Sequence, residues 1–410
     1  MAIPLPSVRT AAFEKLGYGM FIHWSLYSQL GRGEWVRFIE KIPAAEYIKL
    51  KDSFTADEFD ANAIAKLAKK AGMKYACLTV RHHDGFSLYD TRGLNDFDAV
   101  HSPAARDIAA EFANACRNEG IVPFFYHATY DWHQEKFETD FPAYIDYLCN
   151  SIEILCKYYG KVGGFWFDGN WSKPQNNWQE SRLYGIIRKY QPGAIIINNT
   201  GLHARGAVGH DEIDCITFEQ GRPEPMNRNG MKKYLAVEMC QSINSHWGIS
   251  KNDFNYLSPK EIIENLCACR KVGANYLLNI GPTASGKIPD YEASVLCRVG
   301  QWVQMYADVI YNGKPYMIAE NGIDFAIEAN GKIYLFIHNL GVGGHINVTT
   351  VIQKTYPKTF ERINRKVNKV SWLDNSQELD FVQDKNGSLT FNAAGYPYGT
   401  NLVVRVAQVS

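Results

Sequence analysis

Short apolar runs alternate along the chain with longer stretches in which apolar residues recur every three or four positions. This beat continues through the first three quarters. The short runs read as strands over 19–24, 75–80, 121–126, 163–168, 194–198, 215–218, 234–237 and 276–280. Between them the longer periodicity predicts helices over about 61–71, 104–118, 141–159, 180–190, 259–271 and 291–307. In the third of these, Tyr144, Tyr147, Leu148, Ile152 and Leu155 share one face. The fifth has the sharpest boundaries. Ser258 is the N-cap, Pro259 the first helical residue, and Glu261 completes a capping box. Arg270 and Lys271 lie in its last turn, and Gly273 closes it.

Strands that are apolar throughout belong in a parallel sheet covered on both faces. Eight of them, most followed by a helix, favour a (β/α)8-like barrel over an open doubly wound sheet. The helices between the fifth, sixth and seventh strands are weakly patterned. The polar residues support the barrel. His23, His82, His83, Tyr126, Asp168, Glu219 and Glu238 all fall at predicted strand C-termini or just beyond. In a barrel those ends converge on one face, where active sites are built. Past residue 312 the pattern changes. Asn330-Gly331 and Asp384-Lys385-Asn386-Gly387 are hairpin turns between alternating segments, and 401–409 alternates as a last strand. The expected organisation is a catalytic barrel over 1–312 and an antiparallel β-sandwich over 313–410.

Charge and cysteines narrow the setting. Lysine plus arginine equals aspartate plus glutamate, 43 each, which argues against nucleic acid as a partner. The nine cysteines are odd in number, and several sit in apolar runs, so they read as reduced core residues. Cys267-x-Cys269 has no second pair at zinc spacing. Residues 1–10 lack a basic start followed by an apolar stretch, and no apolar run is long enough to span a membrane. Two settings fit: the cytoplasm, or a chain whose leader has been removed. Four Asn-x-Ser/Thr sequons, at Asn170, Asn198, Asn347 and Asn386, matter only in a eukaryotic secretory route.

Chemistry gathers around Gly163-Gly164-Phe165-Trp166-Phe167-Asp168-Gly169-Asn170-Trp171. A buried aromatic strand here stops at a carboxylate, with a tryptophan on each side. Aromatic faces receive the C–H face of a sugar ring, and a carboxylate can meet its reacting carbon. The plain alternative is an Asp that caps the next helix. Glycoside hydrolysis typically needs a second carboxyl, protonated at working pH. Glu219 and Glu238 are both expected on the same face, each with a rim ion pair as its alternative. His82-His83 could suggest a metal. Neighbours in an extended strand point to opposite faces, so hydrogen bonding to sugar hydroxyls suits them better, and neither metal nor cofactor is expected. His23, Glu34 and Trp35 add polar groups beside aromatic surface, while Trp24 and Trp35 also have a core-packing reading.

The strings Gly19-Met20-Phe21-Ile22-His23-Trp24, Gly33-Glu34-Trp35, Arg81-His82-His83-Asp84-Gly85-Phe86, Trp166-Phe167-Asp168-Gly169 and Leu278-Asn279-Ile280-Gly281-Pro282-Thr283 occur in this order. Together they resemble the retaining α-L-fucosidases of glycoside hydrolase family 29, over about residues 15–310. The resemblance implies a catalytic barrel with a C-terminal β-sandwich. It implies Asp168 as nucleophile, and His23, Glu34, Trp35, His82, His83, Tyr126 and Trp166 as fucose-pocket residues. Thr217-Phe218-Glu219-Gln220 looks like the family's Thr-x-Glu-x string, which makes Glu219 the acid/base and Glu238 its alternative. The chain departs from the pattern at Val237, where an aromatic is usual. It departs again at Asn198-Asn199-Thr200, where many relatives have an arginine after the Asn. The implied partner is a fucosylated oligosaccharide or glycoconjugate. A related α-L-glycosidase acting on galactose, a catalytically silent fucose-binding protein and a metal-dependent hydrolase are the alternatives.

Overall fold

The computed structural model describes residues 3–200, 202, 204, 206–316, 322–341, 356–396 and 399–410. By their contacts these fall into two compact units. The first comprises the residues up to Leu257 together with Ala274–Cys297, and the second comprises Ser258–Gly273 together with Arg298–Ser410.

The first unit holds a closed barrel of eight parallel strands. They are β1 (Tyr18–Ile22), β2 (Tyr75–Arg81), β3 (Val122–Ala128), β4 (Gly164–Asp168), β5 (Ile195–Asn198), β6 (Cys215–Glu219), β7 (Ala236–Ser242) and β8 (Asn275–Ile280). Each pairs with the next, and β8 closes on β1, with Phe21 level with Asn279. The eight runs read from the sequence are these eight strands. Helices α1 (Ala61–Lys70), α2 (Ile108–Glu119), α3 (Phe141–Tyr158) and α4 (Glu180–Tyr190) follow β1 to β4 in chain order. Asp60, Asp107 and Asp140 cap the first three, each accepting a backbone N–H three residues on. Such caps contribute about 1 kcal/mol each. α2 ends at Gly120 in the left-handed conformation (φ 74°), where glycine carries no Cβ penalty.

Alternate strand residues fill the barrel. Phe21, Tyr75, Cys77, Phe124, Tyr126, Trp166, Ile195, Ile197, Cys215, Ala236, Cys240 and Leu277 belong to one buried cluster. The tight bore explains Gly164: a Cβ there would lie 2.3 Å from the Phe124 ring and 2.7 Å from the Ile195 carbonyl. Carried one step further up β1, β4, β5 and β8, and two steps up β6, the same alternation reaches His23, Asp168, Asn199, Asn279 and Glu219 at the mouth.

One expectation about the mouth is corrected. Glu238 was expected at the end of its strand, but β7 runs on to Ser242. Register places Thr217 beside Glu238 and Glu219 beside Cys240. Glu238 therefore sits one layer below Glu219, about 6–7 Å deeper along the strands.

In the second unit, α5 (Pro259–Lys271) begins with the capping box read from the sequence: Ser258 Oγ accepts from Glu261 N–H, and Glu261 Oε2 accepts from Ser258 N–H. α6 (Asp290–Met305) spans the division between the units. Two antiparallel sheets follow. One has the order β13 (Val370–Trp372), β16 (Val404–Val409), β11 (Lys332–His338), β10 (Phe325–Ala329), β9 (Lys314–Pro315). The other has the order β12 (Tyr356–Phe360), β15 (Leu389–Ala393), β14 (Phe381–Gln383). Leu335, Ile337, Val370 and Ala407 from the first share a core with Phe360, Leu389 and Phe391 from the second, so the sheets pack face to face as a sandwich. Both turns read from the sequence join neighbouring strands, β10 to β11 and β14 to β15.

Eight of the nine cysteines are buried, and all nine are free. Of the sequons, Asn198 is buried at the end of β5 and Asn386 is exposed in its turn, while Asn347 lies outside the described residues.

Candidate active site

β4 delivers Asp168 to the mouth and stops there, because Gly169 takes φ 121° and a Cβ on it would lie 2.4 Å from Tyr130 N. The Asp168 carboxyl is surrounded by donors. Oδ1 accepts from Trp171 Nε1 at 2.8 Å and from Asn199 Nδ2 at 3.3 Å. Oδ2 accepts from the Tyr126 hydroxyl at 3.1 Å and faces His83 Nε2 at 3.3 Å. Burial opposes ionisation here. His83, Trp171 and Tyr126 outweigh it and hold Asp168 below the usual aspartate value.

Glu219 ends β6 on the same face. Its Oε2 accepts from Asn199 Nδ2 at 2.6 Å. Burial, and then the charge on Asp168, push its pKa up to about 7. One amide nitrogen thus touches both carboxyls. The two oxygens can be no farther apart than those two bonds laid end to end. That closeness is compatible with the about 5–5.5 Å between the carboxyl groups of retaining glycosidases.

Around them lies a cavity of about 150 Å³, lined by Phe21, His23, Trp35, His82, His83, Tyr126, Trp166, Asp168, Trp171, Asn199, Leu202, Glu219, Cys240 and Trp247. It is smaller than the pockets that take drug-sized ligands and suits a single sugar ring. His23 Nδ1 lies 2.6 Å from Asn279 Oδ1, and the Asn279 amide is oriented by donating to the Trp247 carbonyl at 2.7 Å. The His23 proton is therefore on Nδ1, which leaves Nε2 as an acceptor. Burial drives the His23 pKa down to about 3 and that of His82 well below its ordinary value. Both rings are neutral at physiological pH.

Residues 82 and 83 do not lie in an extended strand, which corrects the expectation that they face apart. β2 ends at Arg81. Beyond it the backbone turns, the two rings meet edge to face with centroids 4.5 Å apart, and both line the cavity. Trp24 belongs to the core: it is fully buried, stacks on Phe59 and donates to the Thr283 carbonyl. Trp35 lines the cavity. Glu34 and Glu238 are not among the lining residues. Glu34 Oε2 accepts the backbone N–H groups of Trp247 and Gly248 at 3.0 and 2.8 Å and fixes that loop. Glu238 lies beneath the floor and accepts from the Tyr75 hydroxyl at 2.6 Å and Trp166 Nε1 at 2.9 Å. Among the described residues no group of three or more His, Cys, Asp or Glu is arranged to hold a metal ion.

Sequence reasoning gave no cavity role to Phe21, Asn199, Leu202, Cys240 or Trp247. Alternation along β1 and β7 would have found Phe21 and Cys240. Asn199 is signalled by following the end of a strand and by the departure noted at Asn198-Asn199-Thr200. Trp247 and Leu202 stand on loops, where no periodicity points.

A closed parallel barrel with two differently tuned carboxyls in an aromatic pocket at its C-terminal mouth is the architecture of a barrel glycosidase. The model of the family described as Alpha-L-fucosidase matches residues 7–308. The alpha-L-fucosidase isoenzyme 1 structure from Paenibacillus thiaminolyticus is 30% identical, with a TM-score of 0.82 and 98% of each chain covered. The tissue alpha-L-fucosidase of Mus musculus is 28% identical over 93% of this chain and 86% of its own. A trapped covalent intermediate of a Bacteroides thetaiotaomicron alpha-L-fucosidase shares the fold, with a TM-score of 0.83 at 22% identity over 100% of this chain and 97% of that one. The chain belongs to the alpha-L-fucosidase family.

Proposed function

We propose that this protein is a retaining exo-α-L-fucosidase in which Asp168 is the nucleophile and Glu219 the general acid and base. It releases terminal α-linked L-fucose from oligosaccharides or glycoconjugates. Asp168 attacks the anomeric carbon while Glu219 gives its proton to the departing glycosidic oxygen, and a fucosyl ester forms on Asp168. Glu219, now ionised, takes a proton from water. The water attacks the same carbon from the face the leaving group vacated, the bond to Asp168 breaks to free its carboxylate, and the configuration is restored. His23 Nε2 and the two neighbouring imidazoles are the polar partners for sugar hydroxyls, and Trp35, Trp166 and Trp171 are the apolar walls.

The observation that carries the reading is the opposite tuning of two carboxyls held by one amide. Asp168 is kept below its ordinary value and Glu219 is raised to about 7, so at neutral pH one is a nucleophile and the other an acid. The test is hydrolysis of an aryl α-L-fucoside followed by NMR, with α-L-fucose expected as the first product. β-Fucose first would overturn the retaining assignment. The matching aryl α-L-galactoside, with a hydroxyl in place of hydrogen on C6, should be the poorer substrate.

A further inference from the structure

Asn199 is the single side chain that bonds to both candidate catalytic carboxyls among the described hydrogen bonds. It is 4% exposed. Its amide cannot flip freely, because Oδ1 accepts the hydroxyl of Thr217 at 3.1 Å, and Thr217 is fully buried on β6 two residues before Glu219. Its backbone is pinned as well, with N–H donating to the Phe167 carbonyl at 2.9 Å. The two N–H bonds of the amide therefore point one at each carboxyl.

We propose that Asn199 is a positioning residue that holds the nucleophile and the acid/base in register and fixes which oxygen of Glu219 carries the proton. Resting on the reading of Asp168 and Glu219 given above, the argument is one of occupancy. Glu219 Oε2 already accepts the short bond from Asn199, so the transferable proton resides on Oε1, the oxygen left free for the glycosidic atom. On Asp168 the same amide makes the longest donor contact to Oδ1, 3.3 Å against 2.8 Å from Trp171. It steadies the carboxylate without tying up the lone pair needed for attack. Each bond favours the ionised form of the acid it touches, and the shorter bond goes to Glu219.

The test is the pH dependence of kcat/KM on an aryl fucoside for Asn199→Ala, with Thr217→Val as a milder variant that frees the amide to turn. The ascending limb reports Asp168 losing its proton, and the descending limb reports Glu219 losing its own. Removing a donor from each carboxylate raises both pKa values, so both limbs should move to higher pH. The descending limb should move further, by about one unit, with kcat/KM down about ten- to a hundredfold. Thr217→Val should move the limbs in the same direction by less. A folded Asn199→Ala protein of lowered rate with both limbs in place would reduce Asn199 to packing and overturn the proposal. Glu219→Gln in the same series separates the two failures. If that variant keeps the descending limb, the assignment of Glu219 is at fault; if it loses the limb while Asn199→Ala leaves it unmoved, only the role of Asn199 falls.

Discussion

Two glutamates on neighbouring strands share a raised pKa of about 7, and they reach it in different ways. Glu219 at the mouth is raised by burial and by the Asp168 charge. Glu238, one layer down, is raised by burial alone, with Tyr75 and Trp166 pulling back. The first lines the cavity and feels the charge of the neighbouring Asp168 carboxyl. The second has no opening to the cavity and holds the Trp166 indole that forms part of the floor. A perturbed carboxyl thus marks a reacting group only where it also faces substrate space and a partner charge.

The comparison breaks most sharply at Asp168. Asp168→Ala should cut turnover by several orders of magnitude with the fold intact, as near-wild-type circular dichroism would verify. Azide with an activated fucoside should then give β-fucosyl azide by a single inverting displacement, and undiminished activity without azide would remove Asp168 as nucleophile. Next comes Glu219→Ala. Loss of general acid–base catalysis typically costs about 10²–10⁴-fold, most for poor leaving groups. Azide should restore the rate and yield α-fucosyl azide, since the intermediate on Asp168 still forms. The same rescue in Glu238→Ala would transfer the acid/base role one layer down.

Glu238→Gln should leave both limbs of the pH–rate profile in place and lower kcat/KM by less than about tenfold. Its signature lies in stability. The folded pKa of about 7 exceeds the ordinary 4.5, so the folded state binds the proton more tightly than the unfolded one. That contribution is fully present below pH 4.5 and is lost as pH rises through 7. A shift of this size is worth about 3 kcal/mol. Urea midpoints measured from pH 4.5 to 7.5 should fall less steeply in Glu238→Gln than in wild type. Glu219→Gln should flatten the same slope and abolish the descending kinetic limb as well. The smallest effect belongs to Tyr75→Phe, which removes one donor from Glu238. About 1 kcal/mol of stability should be lost, with an unchanged kinetic profile.

Much of this was legible in the chain because it is written in local pattern. The eight strands, the capping box at Ser258 and the hairpin at Asn330-Gly331 depend on side-chain periodicity, capping oxygens and residues that tolerate φ > 0, all short-range matters. The strand-end rule brought His23, Asp168 and Glu219 to one face. It failed at Glu238 because the seventh strand was ended five residues early. Met239-Cys240-Gln241-Ser242 mixes polar with apolar residues, and a sequence reader stops there, whereas pairing with β6 and β8 continues. The reading of His82 and His83 failed for a different reason: extended-strand geometry was applied to residues beyond the strand, which ends at Arg81.

By itself the sequence determined the alternation of strand and helix, the change to antiparallel segments near 312 and the identity of the acid that ends β4. Tertiary structure alone decided that β8 closes on β1, that Glu219 rather than Glu238 shares an amide with Asp168, and that Trp247 reaches the pocket while Glu34 braces its loop. It also decided that α5, which falls within the barrel's rhythm along the chain, groups by contact with the second unit. The physical reason is range. A capping oxygen or an alternating run acts over a few residues, whereas the depth of a side chain in a barrel is set by the stagger of strands far apart in the chain. Shifting that stagger by two residues keeps every inward residue inward and exchanges an acid at the mouth for a buried one.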